Sequence, residues 1–174
     1  MNLASVKNNP KSAEDSLTNK PKSSKQYCYD HPRPSLTVDV VLFDRSNDRL
    51  RILLIKRARD PFKGLWAFPG GFVDQNESLE DAASRELFEE TGLTDIKIEQ
   101  IGAFGDPGRD PRGHTVSVAF AAVLDKPTDA SAGDDAEDAR WYSALHPPRL
   151  AFDHRKILGT ALKHLKLNKQ QTDR

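Results

Sequence analysis

The chain has a single cysteine, Cys28, in 174 residues. No intramolecular disulfide can form, a cysteine-based zinc site is not expected, and a reducing compartment is favoured. It also lacks any apolar run near the ~20 residues that a membrane-spanning helix needs. The opening MNLASVKNNPKSAEDS has no apolar segment of the kind a secretory signal carries. A cytoplasmic protein without membrane association is therefore expected. Charge of one sign is not in surplus either, because 26 Lys+Arg balance 26 Asp+Glu. No global basic footprint points to nucleic acid, and none is expected as a partner.

That balance is uneven along the chain. Residues 1–26 carry five Lys against Glu14 and Asp15, and residues 163–174 carry four basic groups against Asp173. The stretch between them, 27–162, holds 17 basic and 23 acidic side chains, a net of −6. An acidic body that receives a phosphate-rich ligand needs metal cations or local arginines, since bare carboxylates repel phosphate. Residues 1–26 are rich in Ser, Asn and Lys and hold no aromatic. They cannot bury enough apolar surface to offset their ordering entropy, so a disordered polar tail is predicted there. A second polar tail is expected at 168–174, leaving one domain over 27–167.

Within that domain Leu36, Val38, Val40 and Leu42 alternate with Thr37, Asp39, Val41 and Phe43, the period of a strand. A turn at Ser46-Asn47-Asp48 leads to a second strand over Leu50–Ile55. A short Trp66-Ala67-Phe68 strand should then run into a tight turn at Pro69-Gly70-Gly71. Residues 78–91 read as a helix stopped by Gly92. Strand-like segments follow at Ile96–Phe104 and His114–Val123, separated by the loop Gly105–Gly113. A further loop, Asp125–Ala136, precedes Arg140-Trp141-Tyr142. The last element is an amphipathic helix from about Asp153, a plausible N-cap, with Ile157, Leu158, Ala161, Leu162 and Leu165 on one side. No internal repeat is present. Strands clustered around two helices predict a helix–sheet–helix sandwich of the α/β class.

The helix over 78–91 carries the chemistry. At about 100° per residue, Leu79, Ala82, Ala83 and Leu87 share one arc and must face the protein. Glu86 and Glu90 project within that arc and Glu89 sits at its edge, while Glu80, Asp81, Ser84 and Arg85 take the other side. Like charges three and four apart on a helix repel, and here they sit in the last turn, where cations are preferred. Partial burial adds a desolvation penalty for each unpaired ion. A solvated Glu-rich helix face is the plainer alternative for an isolated EExxG. Hard divalent cations, Mg²⁺ or Mn²⁺, would offset the penalty through carboxylate oxygens.

The wider pattern separates the two. Gly71, Glu77, Arg85-Glu86-Leu87, Glu89-Glu90 and Gly92-Leu93 fill all nine specified positions, over 23 residues, of the motif G-x5-E-x7-R-E-U-x-E-E-x-G-U, where U is aliphatic. On this motif the chain resembles the Nudix hydrolases. From about Tyr27 to Leu167 it looks like their ADP-ribose pyrophosphatase branch and the related domains of regulators of NAD metabolism. The segments His31–Asp39, Trp66–Val73, Asp106–Val118 and Leu150-Ala151-Phe152-Asp153-His154 carry that likeness. The resemblance implies a Nudix-type α/β/α sandwich with a mixed sheet and the motif as loop–helix–loop. It also implies metal binding by Glu86, Glu89 and Glu90 with the carbonyl of Gly70, and an Arg85 that orients the catalytic carboxylates. Glu77 is then a supporting residue. Relatives are often homodimers, so a homodimer is implied too.

The chemistry such a site performs is attack of water on a diphosphate, with metal ions neutralising the developing charge and a carboxylate taking the proton. Glu86 competes for the role of base with Asp134, Asp135 and Glu137 in a later acidic run. For the substrate, Arg57 and Arg59 after the second strand, and Arg109, Arg112 and His114 in the loop before a core strand, are candidate contacts. Ordinary loop charges are the plainer reading of the same residues. Phe72, Phe104 and Trp66 are candidates to stack on a base, although core packing is the commoner fate of aromatics. His31, His146, His154 and His164 show no ligand spacing, and Asp39 in an apolar strand has no assigned role.

The leading expectation is metal-dependent hydrolysis of ADP-ribose to AMP and ribose 5-phosphate. Another nucleotide, such as a dinucleotide or nucleoside triphosphate, is the runner-up. A regulator that senses ADP-ribose without cleaving it is the rival from a different class. Such regulators carry a DNA-binding module after the domain, for which the roughly 20 residues after Asp153 leave little room.

Overall fold

The computed structural model describes residues 29–45, 49–124 and 136–167. The polar tails expected at 1–26 and 168–174, and most of the loop expected at 125–136, lie outside these. The chain divides into two units, residues 1–31 and 32–174. In the first only Tyr29–His31 are described, and every strand and helix among the described residues belongs to the second.

Seven strands and two helices appear in the order β1 (Ser35–Asp44), β2 (Arg51–Arg57), β3 (Trp66–Ala67), β4 (Gly70–Phe72), α1 (Leu79–Thr91), β5 (Glu99–Phe104), β6 (Thr115–Leu124), β7 (Ala136–Ser143) and α2 (His154–His164). The strands make one mixed sheet, with β1 and β6 parallel and the other pairs antiparallel. Helices cover both of its faces. Val38, Val40 and Leu42 pack with Ala82, Ala83 and Leu87 of α1. Val41 and Phe43 pack with Ile157, Leu158 and Ala161 of α2. A strand whose successive side chains alternate faces must be apolar on both sides when both are covered. This explains why β1 is apolar without a break from Val40 to Phe43, on both faces.

The site depends on how β1 and β2 part company. One edge of β1 pairs with β6 along its full length, Ser35–Asp44. Its other edge is divided: Phe43 and Asp44 pair with β2, and Thr37–Asp39 pair with Phe72–Gly70 of β4. Strand β2 pairs with β7 on one edge, and its far end, Ile55 and Lys56, pairs with Ala67 and Trp66 of β3. The two strands therefore splay from their paired ends at Phe43–Asp44 and Arg51–Ile52, and residues 66–72 fill the gap; the turn expected at Ser46-Asn47-Asp48 lies outside the described residues. The tight turn expected at Pro69-Gly70-Gly71 is instead short strand, β4. A Cβ on Gly70 would lie 2.1 Å from the Val38 carbonyl oxygen, so only glycine lets this backbone approach β1 closely enough to pair.

Both helix predictions hold in position. Helix α1 begins at the cap Ser78, whose Oγ accepts from the Asp81 N–H, and ends at a left-handed Gly92, whose N–H donates to the Phe88 carbonyl at 2.8 Å. Helix α2 follows Asp153, but this residue makes no side-chain cap bond. Its carboxylate is held by Arg109 instead. Strand β5 is shorter than the expected 96–104. It begins at Glu99, after a left-handed Asp95 (φ 58°) breaks the extended run.

Candidate active site

The floor of the site is the β3–β4 wedge, and α1 stands beside it. Because Gly70 pairs with Asp39, the wedge brings its N–H to α1, where it donates to Glu90 Oε2 at 2.9 Å. Glu90 is 9% exposed. Burial and the nearby carboxylates of Glu86 and Asp39 push its carboxyl up to about 8, against the pull of the Gly70 N–H and Arg57. Glu86, one turn earlier, is half-buried and is also raised, first by burial. Gly71 leaves the room Glu86 occupies: a Cβ there would fall 2.4 Å from Glu86 Oε1. The third glutamate, Glu89, differs, with its side chain 53% exposed.

Arg85 ties these groups together. Its Nε and NH2 donate to the two oxygens of Glu77 at 2.7 and 2.9 Å, and NH2 also reaches the Phe72 carbonyl at 3.1 Å. NH1 donates to Glu86 Oε1 at 2.7 Å and Glu89 Oε2 at 3.2 Å. Glu77 also accepts from the Asp74 N–H at 2.8 Å. The Arg85 and Asp74 bonds bring the Glu77 carboxyl down to about 2. One guanidinium thus fastens the loop after β4 to α1 and fixes the rotamers of two acids on the helix.

The opposite wall is basic. A cleft of about 480 Å³ opens between α1, the wedge and the start of α2, lined by Glu86, Glu89 and Glu90 on one side and Arg57, Arg59, Arg112 and Phe152 on the other. The Arg57 Nε donates to the Pro61 carbonyl at 2.8 Å. Asp110, 3% exposed, grips Arg112 through its backbone N–H, Nε and NH2 at 2.7–3.2 Å. Arg112 lies over Phe72, with Cζ 5.2 Å from the ring centroid.

Arg109 also borders the cleft, but its side chain is only 5% exposed and both its Nε and NH2 bind Asp153, at 2.6–3.1 Å. Its donors face a carboxylate, not the opening. Beneath it Asp39 accepts from the Ser117 hydroxyl and lies 3.4 Å from Nε2 of the buried His154. His154 Nδ1 accepts the Phe68 N–H at 3.0 Å, and burial lowers the pKa of the ring against the pull of Asp39. His154, which has no ligand spacing in the sequence, is thus a buried support of the wedge. The signal for Asp39 was its place in an apolar strand; for His154 the sequence offered none.

Other expected contacts fall elsewhere. His114 is exposed, faces the Gly105 carbonyl at 3.2 Å and does not line the cleft. Phe104 is buried in the core, and Trp66 packs edge-on against Tyr142. Phe72, 47% exposed, is the member of that trio at the cleft. Asp134 and Asp135 lie outside the described residues, and Glu137 falls within β7.

Two desolvated carboxylates a turn apart, with a third at the rim, offer the hard oxygen donors that divalent cations take. Among the described residues no group of three or more acidic, imidazole or thiol side chains is arranged to hold a metal ion by itself. A cation held here would complete its shell with carbonyl, water or substrate oxygens.

Residues 33–160 match the NUDIX domain family. The chain belongs to the Nudix hydrolases. Among its Nudix relatives is the ADP-ribose pyrophosphatase of Methanocaldococcus jannaschii, 44% identical over 126 residues, 72% of this chain and 71% of that protein. An ADPR responsive transcriptional repressor of Acinetobacter baylyi is 37% identical over 78% of this chain but only 56% of its own length. Among solved structures, the NUDIX domain of Shewanella oneidensis NrtR complexed with ADP ribose superposes with a TM-score of 0.71 at 36% identity, covering 78% of this chain and 90% of that one. A MutT/nudix family protein of Enterococcus faecalis reaches a TM-score of 0.74, also at 36% identity, over 84% of this chain and 69% of that one. Nudix hydrolases use divalent metals, in keeping with the donor set on α1. The mixed sheet between two helices is the Nudix fold.

Proposed function

We propose that this Nudix hydrolase cleaves the diphosphate of ADP-ribose, giving AMP and ribose 5-phosphate, with Mg²⁺ or Mn²⁺. The observation that carries the reading is a single cleft lined by Glu86 and Glu90 together with Arg57 and Arg112. A diphosphate bound there meets guanidiniums as well as the cation-binding carboxylates. The relative that shares 44% identity is an ADP-ribose pyrophosphatase, which supports the choice of substrate.

In this reading Glu86, Glu89 and Glu90 hold the metal with the Gly70 carbonyl, and Arg85 keeps Glu86 and Glu89 in place. Bound metal supplies charge neutralisation at the phosphoryl oxygens and lowers the pKa of a coordinated water. Arg57 and Arg112 orient the diphosphate, and Glu86 accepts the proton of the attacking water. Asp134 and Asp135, outside the described residues, and Glu137 in β7 keep their candidacy as an alternative base. Ordered placement of reactants and fixed charges accounts for the catalysis.

A panel of nucleotides offered to the purified protein with Mg²⁺ tests this. Turnover of ADP-ribose to AMP is expected, whereas fast hydrolysis of a triphosphate with ADP-ribose left intact would overturn the substrate. The relatedness to ADPR-responsive repressors favours a second reading, binding of ADP-ribose without cleavage. Tight binding with no product over hours, together with DNA retention at physiological salt, would establish that reading instead.

A further inference from the structure

The segment Ala151–His154, one of those that carry the family likeness, departs from what a helix start requires. Asp153 stands at the cap position without capping, because its carboxylate is bound to Arg109. His154 accepts the Phe68 N–H, and the Ala151 N–H donates to the Trp66 carbonyl at 2.8 Å. Between them Phe152 takes a left-handed backbone conformation, φ 49°, which a bulky residue adopts only when its surroundings impose it.

What surrounds the Phe152 ring is the basic wall of the cleft. The Arg57 Cζ lies 4.8 Å from its centroid and the Arg112 Cζ 5.7 Å from it. Phe62 meets the ring edge-on at 4.8 Å and His154 stacks at 5.4 Å, so the ring itself is fixed. Two guanidiniums brought to one ring repel each other. The Arg57 guanidinium is pushed down from its ordinary pKa first by burial and then by Arg112. The negative face of an aromatic ring attracts both cations and offsets part of that repulsion. It does so without occupying their donors.

We propose that Phe152 is a positioning residue: its ring holds Arg57 and Arg112 together as a preformed two-point anchor for a diphosphate-bearing ligand and so sets the affinity of the cleft. The inference rests on reading the cleft as a diphosphate site. The left-handed backbone at 152 accompanies a ring that meets both guanidiniums, and the Arg109–Asp153 pair and the His154–Phe68 bond hold the segment there.

The test is calorimetric binding of ADP-ribose and, separately, of inorganic pyrophosphate to the metal-free protein. Phe152→Leu keeps the apolar bulk and removes the ring face. It should weaken binding about tenfold, from two cation–π contacts of ordinary strength, while Phe152→Tyr stays within about twofold of wild type. In an Arg57→Ala/Arg112→Ala background the leucine substitution should cause no further loss. Wild-type affinity in Phe152→Leu, an equal loss in Phe152→Tyr, or a persistent tenfold loss in the double background would overturn the proposal. Should Phe152→Leu fail to fold by circular dichroism, Phe152→Met carries the same comparison. If pyrophosphate shows the expected pattern and ADP-ribose does not bind, the substrate reading fails and the role of Phe152 stands. A wild-type protein that takes up neither ligand overturns both.

Discussion

At the scale of single residues, Glu90 is the group whose environment most demands an explanation. A carboxyl in water loses its proton near 4.5, and Glu90 in the folded protein holds it to about 8. Without metal, the folded state therefore binds more protons than the unfolded chain between these values. Stability of the metal-free protein should fall as pH rises from about 4.5 to about 8 and level off above, by a few kcal/mol in all. Denaturant melts in chelator across that range would show the slope, and saturating Mg²⁺ should flatten it. Glu90→Gln removes the titrating group. We expect it to stabilise the metal-free protein at pH 8, read as a higher Tm, while lowering turnover by about 100-fold or more. Near-wild-type turnover of this variant would refute its metal role. Glu77 behaves in the opposite sense. Its depressed pKa contributes stability that is present above 4.5 and is lost as pH falls towards about 2.

At the scale of elements, β4 separates two uses of glycine. A Cβ at Gly70 meets backbone, the Val38 oxygen at 2.1 Å, whereas one at Gly71 meets the end of a flexible side chain, Glu86 at 2.4 Å. Gly70→Ala must therefore pull β4 away from β1, and we expect a loss of stability of about 2–4 kcal/mol. Gly71→Ala should leave the melting temperature within a few degrees but displace Glu86 and depress kcat. A Gly71→Ala protein with full activity would show that Glu86 works equally well elsewhere. The junction of α2 with the loop Gly105–Gly113 yields a third contrast. Arg109→Ala would leave Asp153 and the buried Asp39 without their cation, and removing one partner of such a pair costs about 3–5 kcal/mol. Chemical denaturation measures it, and a change below about 1 kcal/mol would mean that water replaces the guanidinium.

At the scale of the whole molecule, one splay of two strands organises everything. Because β1 and β2 pair only at Phe43–Asp44 and Arg51–Ile52, a wedge of residues 66–72 enters the sheet and carries Gly70 and Gly71 to α1. The acidic body and the local arginines then meet across one cleft. Ligand binding to the native state should stabilise the protein by mass action. We expect millimolar Mg²⁺ or Mn²⁺ to raise the Tm of the wild type and to have little effect on a protein with Glu86, Glu89 and Glu90 replaced by Gln. Absence of any Mg²⁺ or Mn²⁺ uptake by the wild type would remove the basis of the proposed reaction.

Helix α1, its stop at Gly92, and the inward turn of Glu86 and Glu90 were legible in the sequence, because helical periodicity is local and side-chain direction follows from it. The sandwich class followed from the same local patterns. Residues far apart were another matter. Arg109 and Asp153 are separated by 44 positions and Phe68 and His154 by 86, and nothing local records such pairings. Sequence by itself determined the helix that carries the three glutamates and the family motif, since both are written in consecutive turns of chain. Only tertiary structure decided which arginines face the cleft, that Arg109 faces a carboxylate instead, that Pro69-Gly70-Gly71 enters the sheet, and that Phe152 sits between two cations. Those outcomes depend on which strand edges are left open and which charges find a partner first, and both are properties of the assembled fold.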